Sequence, residues 1–134
     1  MANPLLREGP LPAVVHGAIE YLAAIVFIGA PTVLKFESAA ATALSVIVGV
    51  VVLIVTASSA LPTGLIKAVP PSIHVALDFV LSIFLIATPF LFGFVADSTA
   101  LAFFIVLGVV HLLVTIATRF ESAPRGSRRG EGRA

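Results

Sequence analysis

The sequence predicts an all-α membrane protein, with four transmembrane helices arranged as two parallel helical-hairpin repeats. Three observations predict it. The chain is 59% hydrophobic, has a mean hydropathy of +1.14 and is only 11% charged, where soluble domains are charged at about a quarter of their positions. Four apolar stretches are long enough to cross a bilayer: Ala13 to Leu34, Ala41 to Leu61, Ile73 to Val95 and Thr99 to Thr118. Finally, HGAIEYLAAIVFIGAP, residues 16 to 31, returns 58 positions later as HVALDFVLSIFLIATP, residues 74 to 89.

At about 1.5 Å rise per residue each stretch covers roughly 30 Å, the thickness of a bilayer's hydrocarbon core. Lipid offers the backbone no hydrogen-bond partner, so runs of Val and Ile that would suggest strands in water become helices here. The first span follows Pro10 and Pro12 and carries His16 and Glu20. Its apolar run is longer than the core of a signal peptide, so it is read as a retained helix. Pro31 near its far end removes one backbone donor and bends the helix. Lys35-Phe36-Glu37-Ser38 then turns the chain. Ser38 is placed to cap the second span, which makes the first two spans an antiparallel hairpin.

In the second span Ala41, Ser45 and Gly49 share one face. Small residues at that spacing let another helix approach closely, within the chain or in a second copy. Pro62 to Ser72 is longer, rich in turn residues, and joins the two hairpins, with Ser72 placed to cap the third span. That span carries His74, Asp78 and a second kinking proline, Pro89. Asp97-Ser98 separates it from the fourth, on which His111, Thr115 and Arg119 share a face, Arg119 reaching for the headgroups. Phe36, Phe90, Phe92, Phe94, Phe103 and Phe104 gather towards the outer leaflet as interface belt and core filling. The expected divisions are an N-terminal cytoplasmic segment over 1–12, a transmembrane domain over 13–120 with repeats at 13–61 and 73–120, and a disordered basic tail over 121–134.

Charge sets the expected orientation. With both termini cytoplasmic, Arg7, Lys67, Arg119, Arg125, Arg128, Arg129 and Arg133 lie inside and Lys35 alone lies outside, the bias of a bacterial inner-membrane protein. The basic tail then has a topogenic, lipid-facing role, and no nucleic-acid partner is expected.

The repeat extends over the hairpins. His16, Glu20, Tyr21, Pro31 and Phe36 correspond to His74, Asp78, Phe79, Pro89 and Phe94; after one inserted residue, Leu53 to Thr56 corresponds to Leu112 to Thr115. Each copy holds an even number of spans, so both enter from the same side and a pseudo-two-fold axis runs along the membrane normal. Within these copies, Ala30-Pro31-Thr32-Val33-Leu34-Lys35-Phe36 and Thr88-Pro89-Phe90-Leu91-Phe92-Gly93-Phe94 resemble the Ser-Pro-Trp motif and following Gly-Phe pair of SPW-repeat membrane proteins. Pro89, Gly93 and Phe94 are kept in the second copy, Pro31 and Phe36 in the first; neither copy has the serine or the tryptophan. The resemblance implies the hairpin architecture and carries no activity with it.

Function is concentrated in five side chains. Residues four apart share a helix face, so His16 sits above Glu20 and His74 above Asp78. His111 falls at a similar depth on the fourth span, so all five groups lie in the cytoplasmic half. Ionisable groups inside spans are expensive and point to a site or a partner. The leading expectation is a structural or accessory membrane protein whose His/acid pairs join the repeats. The alternatives are a proton or ion relay through those residues, or a subunit that holds a divalent metal or a haem there. No resident cofactor is the primary expectation. The partners expected are the lipid bilayer and a second copy or a larger membrane complex. Cysteine is absent, which removes thiolate sites, and no phosphate loop, nucleophile elbow or His-Glu-x-x-His motif suggests an enzyme.

Overall fold

A computed structural model describes residues 9–120. These residues form helices α1 (Ala13–Val33), α2 (Ala39–Ala57), α3 (Pro71–Leu91) and α4 (Ser98–Ala117), with two-residue strands β1 (Leu11–Pro12) before the first and β2 (Thr118–Arg119) after the last. All four helices are long and apolar enough to cross a membrane. The expected tail at 121–134 lies outside the described residues, as do positions 1–8.

Burial is inverted relative to a soluble bundle. Ile25, Val33, Val80 and Ile83 are exposed, while His16, Glu20, His74 and Asp78 are buried. An apolar exterior is what hydrocarbon requires, and it leaves the polar groups only one another for partners.

Helix limits follow local chemistry. Ser38 caps α2 by accepting from the Ala41 N–H at 3.2 Å, as the sequence suggests. α2 stops at Ala57, four residues short of the expected Leu61, because the Ala57 carbonyl accepts from Leu65 and Ile66 while Ala60 bonds to Val69. The cap expected from Ser72 does not form. Pro71 opens α3 instead, a position where its missing N–H costs nothing. That helix ends at Leu91, before the expected Val95, since Gly93 adopts φ +70° and the Phe94 N–H bonds back to the Pro89 carbonyl. The first hairpin has the same ending: Lys35 has φ 55° and Phe36 bonds back to Pro31. Both prolines therefore sit in the final turn of their helices. Pro31 leaves the carbonyl of Phe27 without its helical donor, and the Ser45 hydroxyl of α2 donates to it at 2.6 Å.

α1 packs on α2 and α3 on α4, and the close approach within the first hairpin has its counterpart in the second. Gly49 lies against Ala24 and Ile28, and Gly108 against Ser82 and Ile86, the corresponding residues of the second copy. The small-residue stripe of α2 is thus consumed within its own hairpin: Ala41, Ser45 and Gly49 are all buried. It offers no face to a second copy, because the close approach it permits is already made to α1. At the other end of each hairpin the copies exchange. β1 pairs in parallel with β2, and Ser59 bridges in parallel to Val69, so the start of each copy binds the end of the other. The sequence gives no sign of this pairing, since each strand is too short to show alternation.

The opposite end is held by Asp97. Its carboxylate caps α4 through the Ala100 N–H at 3.0 Å and also accepts from Glu37 and Ser38 in the first hairpin's turn, at 2.8 and 2.9 Å. Burial works against its charge, but these backbone donors outweigh it and hold the carboxyl below the usual aspartate range. Between the ends, Phe27, Phe103, Phe104 and Phe94 interlock edge to face with Phe36 against them. Phe90 and Phe92 remain exposed, so only part of the expected aromatic group fills the core.

Three outcomes test this packing. Gly49→Ala and Gly108→Ala place a Cβ within 2.7 Å of the Ala24 carbonyl oxygen and 3.1 Å of the Ser82 carbonyl oxygen, and thermal melts in detergent should show each losing about 1–3 kcal/mol. Gly29→Ala meets nothing within 4 Å and should be neutral or stabilising. Asp97→Ala should cost about 1–2 kcal/mol for the lost cap. A lowered carboxyl pKa lends stability that is complete above the ordinary aspartate value and lost as pH falls through the folded value, so the gap between wild type and this variant should narrow in acid.

Candidate metal centre

The helical period brings His16 and Glu20 of α1 and His74 and Asp78 of α3 to the bundle axis at one level. Each pair is one turn long, and exchange of the hairpins sets the pairs face to face. His16 Nε2 lies 3.4 Å from Glu20 Oε1 and 3.2 Å from Asp78 Oδ2; His74 Nε2 lies 3.3 Å from Glu20 Oε2 and 3.4 Å from Asp78 Oδ2. One ligand-type atom from each of the four residues falls within 4.8 Å of all the others. His111 of α4 completes the group from slightly further away, its Nε2 being 3.8 Å from Glu20 and 3.9 Å from Asp78. All five residues singled out in the sequence therefore meet at one point.

Three hydroxyls that no sequence motif singles out aim the rings. His16 Nδ1 is 2.8 Å from Thr118 Oγ1, His74 Nδ1 is 2.6 Å from Ser59 Oγ, and His111 Nδ1 is 2.8 Å from Ser82 Oγ. Each hydroxyl also lies 2.6 to 2.8 Å from the carbonyl four residues back in its own segment: Val114, Val55 and Asp78 respectively. A carbonyl only accepts, so each hydroxyl spends its single proton there. The oxygen then accepts from the ring, and every Nδ1 carries hydrogen. Each ring therefore presents its Nε2 to the carboxylates, at 3.2 to 3.4 Å for His16 and His74 and at 3.8 to 3.9 Å for His111. Ser59 and Thr118 occupy matching places in the two copies, 59 residues apart. That match, beside the matched histidines, is the signal that would have found them.

Glu20 has one further partner, the Thr56 hydroxyl at 3.0 Å, which also lies 2.8 Å from the Val52 carbonyl. Phe120 closes the cluster towards the chain ends, its ring 5.0 Å from that of His16, with Leu61 and Val75 beside it. Tyr21, on the flank of α1, donates to the Thr63 carbonyl at 2.9 Å and anchors the connection between the hairpins. The His16 and His74 rings are edge to face, 5.8 Å apart, with both carboxylates between their Nε2 atoms. A haem macrocycle has no plane to occupy there. In a low dielectric these atoms need positive charge among them, which protons on the rings or a metal ion shared by the four side chains would supply.

Comparison with known proteins adds the family and nothing finer. No curated protein and no solved structure matches the chain significantly. The SPW repeat domain matches residues 14–118, the whole of the paired hairpins. The fold, the duplicated His/acid segments and this match lead to one conclusion: the chain belongs to the SPW repeat family of membrane proteins.

Proposed function

We propose that this is a small membrane protein of structural or accessory type whose two hairpins are fastened by a divalent transition-metal ion, held by His16, Glu20, His74 and Asp78, with His111 beside it. The supporting observation is the spacing. Zinc bonds of 2.0–2.2 Å in a tetrahedron put neighbouring ligand atoms roughly 3.3–3.6 Å apart; the imidazole–carboxylate separations are 3.2 to 3.4 Å, with Glu20 offering Oε1 to His16 and Oε2 to His74, and one ligand-type atom of each residue lies within 4.8 Å of the others. Imidazolium–carboxylate hydrogen bonds would draw the same atoms to about 2.7–2.9 Å. Two carboxylates need two positive charges, and one divalent ion bound to neutral imidazoles would supply them. The hydroxyl–Nδ1 contacts are the outer-shell support that metal-bound histidines use to fix their tautomer. Mixed imidazole and carboxylate ligands suit zinc or a neighbouring first-row ion. A transmembrane relay fits less well: among the described residues no ionisable side chain lies between this cluster and Asp97, and interlocked phenylalanines fill that interval.

We also infer a bacterial inner-membrane location with both termini cytoplasmic. The charge asymmetry supports it, and the pairing of β1 with β2 supports placing both ends of the described chain on one side of the membrane.

Zinc or cobalt titrated into metal-free protein should bind at one ion per chain and raise the melting temperature, by an amount equivalent to about 2.7 kcal/mol at a hundredfold excess over Kd. His16→Ala with His74→Ala should abolish both effects. A wild-type protein that takes up no stoichiometric metal and melts unchanged sinks the metal reading. For orientation, a reporter fused after Ala134 should read out in the cytoplasm; a periplasmic signal reverses the assignment.

A further inference from the structure

An ion that serves a centre as buried as this one has to reach it, and the surroundings of the cluster set the route. Between α2 and α3 a cleft reaches Glu20 and Asp78, but its walls include Val48, Val52, Leu77 and Leu81, and its rim residues Ile47 and Val80 are exposed to hydrocarbon. Val52 stands there where α4, 59 residues later, has His111. The groove between α1 and α4 is lined by Ile19, Leu113 and Val114. A cation stripped of water is excluded from both. Towards Asp97 the interval is filled by Phe27, Leu85, Phe103 and Phe104, all buried. On the β1–β2 side the cover is thinner. The Phe120 ring lies 5.0 Å from that of His16 and 6.3 Å from that of His74, with Leu61 and Val75 beside it. The Thr118 and Ser59 hydroxyls meet the rings at this end, so the passage is not purely apolar. Leu61 belongs to the connection between the hairpins, which backbone bonds from Leu65, Ile66, Ala68 and Val69 to Ala57 and Ser58 hold down. Phe120 follows β2, whose pairing with β1 is only two residues long.

We propose that Phe120 is the stopper of this centre: unpairing of β2 from β1 withdraws its ring and lets a divalent cation pass between the water on that side and the cluster. A short pairing opens locally at far less cost than the separation of packed helices that any other route requires. β2 also carries Thr118, so the same opening releases the His16 ring that Thr118 holds and leaves a ligand free to meet the ion. Phe120 is itself no ligand. Its part is kinetic, and its removal should speed entry and exit alike while leaving their ratio nearly unchanged. The proposal rests on the metal reading for the identity of what passes, and on the packing alone for the route.

The test follows cobalt(II) entering metal-free, full-length protein in nanodiscs by stopped-flow absorbance, and leaving it when excess chelator is added. Phe120→Ala, which takes a buried ring out of the cover, should speed both at least about tenfold. Phe104→Ala removes an equally buried ring on the other side of the cluster and should leave both nearly unchanged. A second variant closes the stopper instead of opening it. The chain has no cysteine of its own, and Pro12→Cys with Arg119→Cys replaces a register pair of β1 and β2 at a spacing a disulfide can bridge. Its oxidised form should take up cobalt more slowly, and a reductant should restore the rate; if Phe120→Ala does not fold, this pair decides alone. Equal acceleration by Phe120→Ala and Phe104→Ala, or a disulfide that leaves uptake unchanged, overturns the proposal. A readout without metal separates it from the metal reading. Val75→Cys, beneath the stopper, should react with a water-soluble trimethylammonium thiosulfonate at least about tenfold faster when Phe120→Ala is added. That acceleration in a protein that takes up no cobalt rejects the ion and keeps Phe120 as the barrier, whereas cobalt uptake with rates and labelling both indifferent to Phe120 rejects the stopper alone.

Discussion

Two carboxylates buried in the centre of a membrane-spanning bundle are the constraint on which the rest of the structure depends. An unpaired charge in such a place costs several kcal/mol, and the exterior of the bundle, which must be apolar, offers nothing to offset it. The solution lies inside. Glu20 and Asp78 face each other across the axis, and imidazoles close in from α1, α3 and α4. Serine and threonine hydroxyls fix the imidazoles in turn, and they keep their own protons on the backbone. The arrangement is ordered outward from the charge, each shell determining the orientation of the one within it.

Duplication makes that order economical. One hairpin supplies a histidine, an acid and, at its far end, a hydroxyl that serves the other hairpin's histidine: Ser59 reaches His74 and Thr118 reaches His16. The parallel strand contacts obey the same exchange. Neither hairpin alone completes its own site, so site and fold form together. Where the copies differ, the difference is chemical. Val52 against His111 and Ala24 against Ser82 give the centre one polar flank and one apolar flank.

Much of this was legible in the sequence because lipid restricts the options so severely. Length and hydropathy locate four helices to within a few residues, and the 58-residue repeat places His16, Glu20, His74 and Asp78 on one level. Helix ends were less legible: Leu61 and Val95 are apolar enough to continue a span, but backbone competition from Leu65, Ile66 and Gly93 stops the helices earlier. Ser72 looks like a cap and is displaced by Pro71, which needs none. The stripe of Ala41, Ser45 and Gly49 was readable as a close contact, but its partner was not, since spacing does not distinguish a neighbouring helix from a second chain. The orienting hydroxyls escape notice because Ser and Thr are ordinary in and beside such helices, and only their distance to a ring on another helix gives them a role.

X-ray absorption spectroscopy on zinc-loaded protein tests the central claim most directly, because it reads the ion's own surroundings. The account predicts a first shell of about four nitrogen and oxygen atoms at roughly 2.0–2.1 Å, with the outer-shell scattering of at least two imidazole rings. A first shell without imidazole, or a protein that retains no zinc to measure, would contradict it.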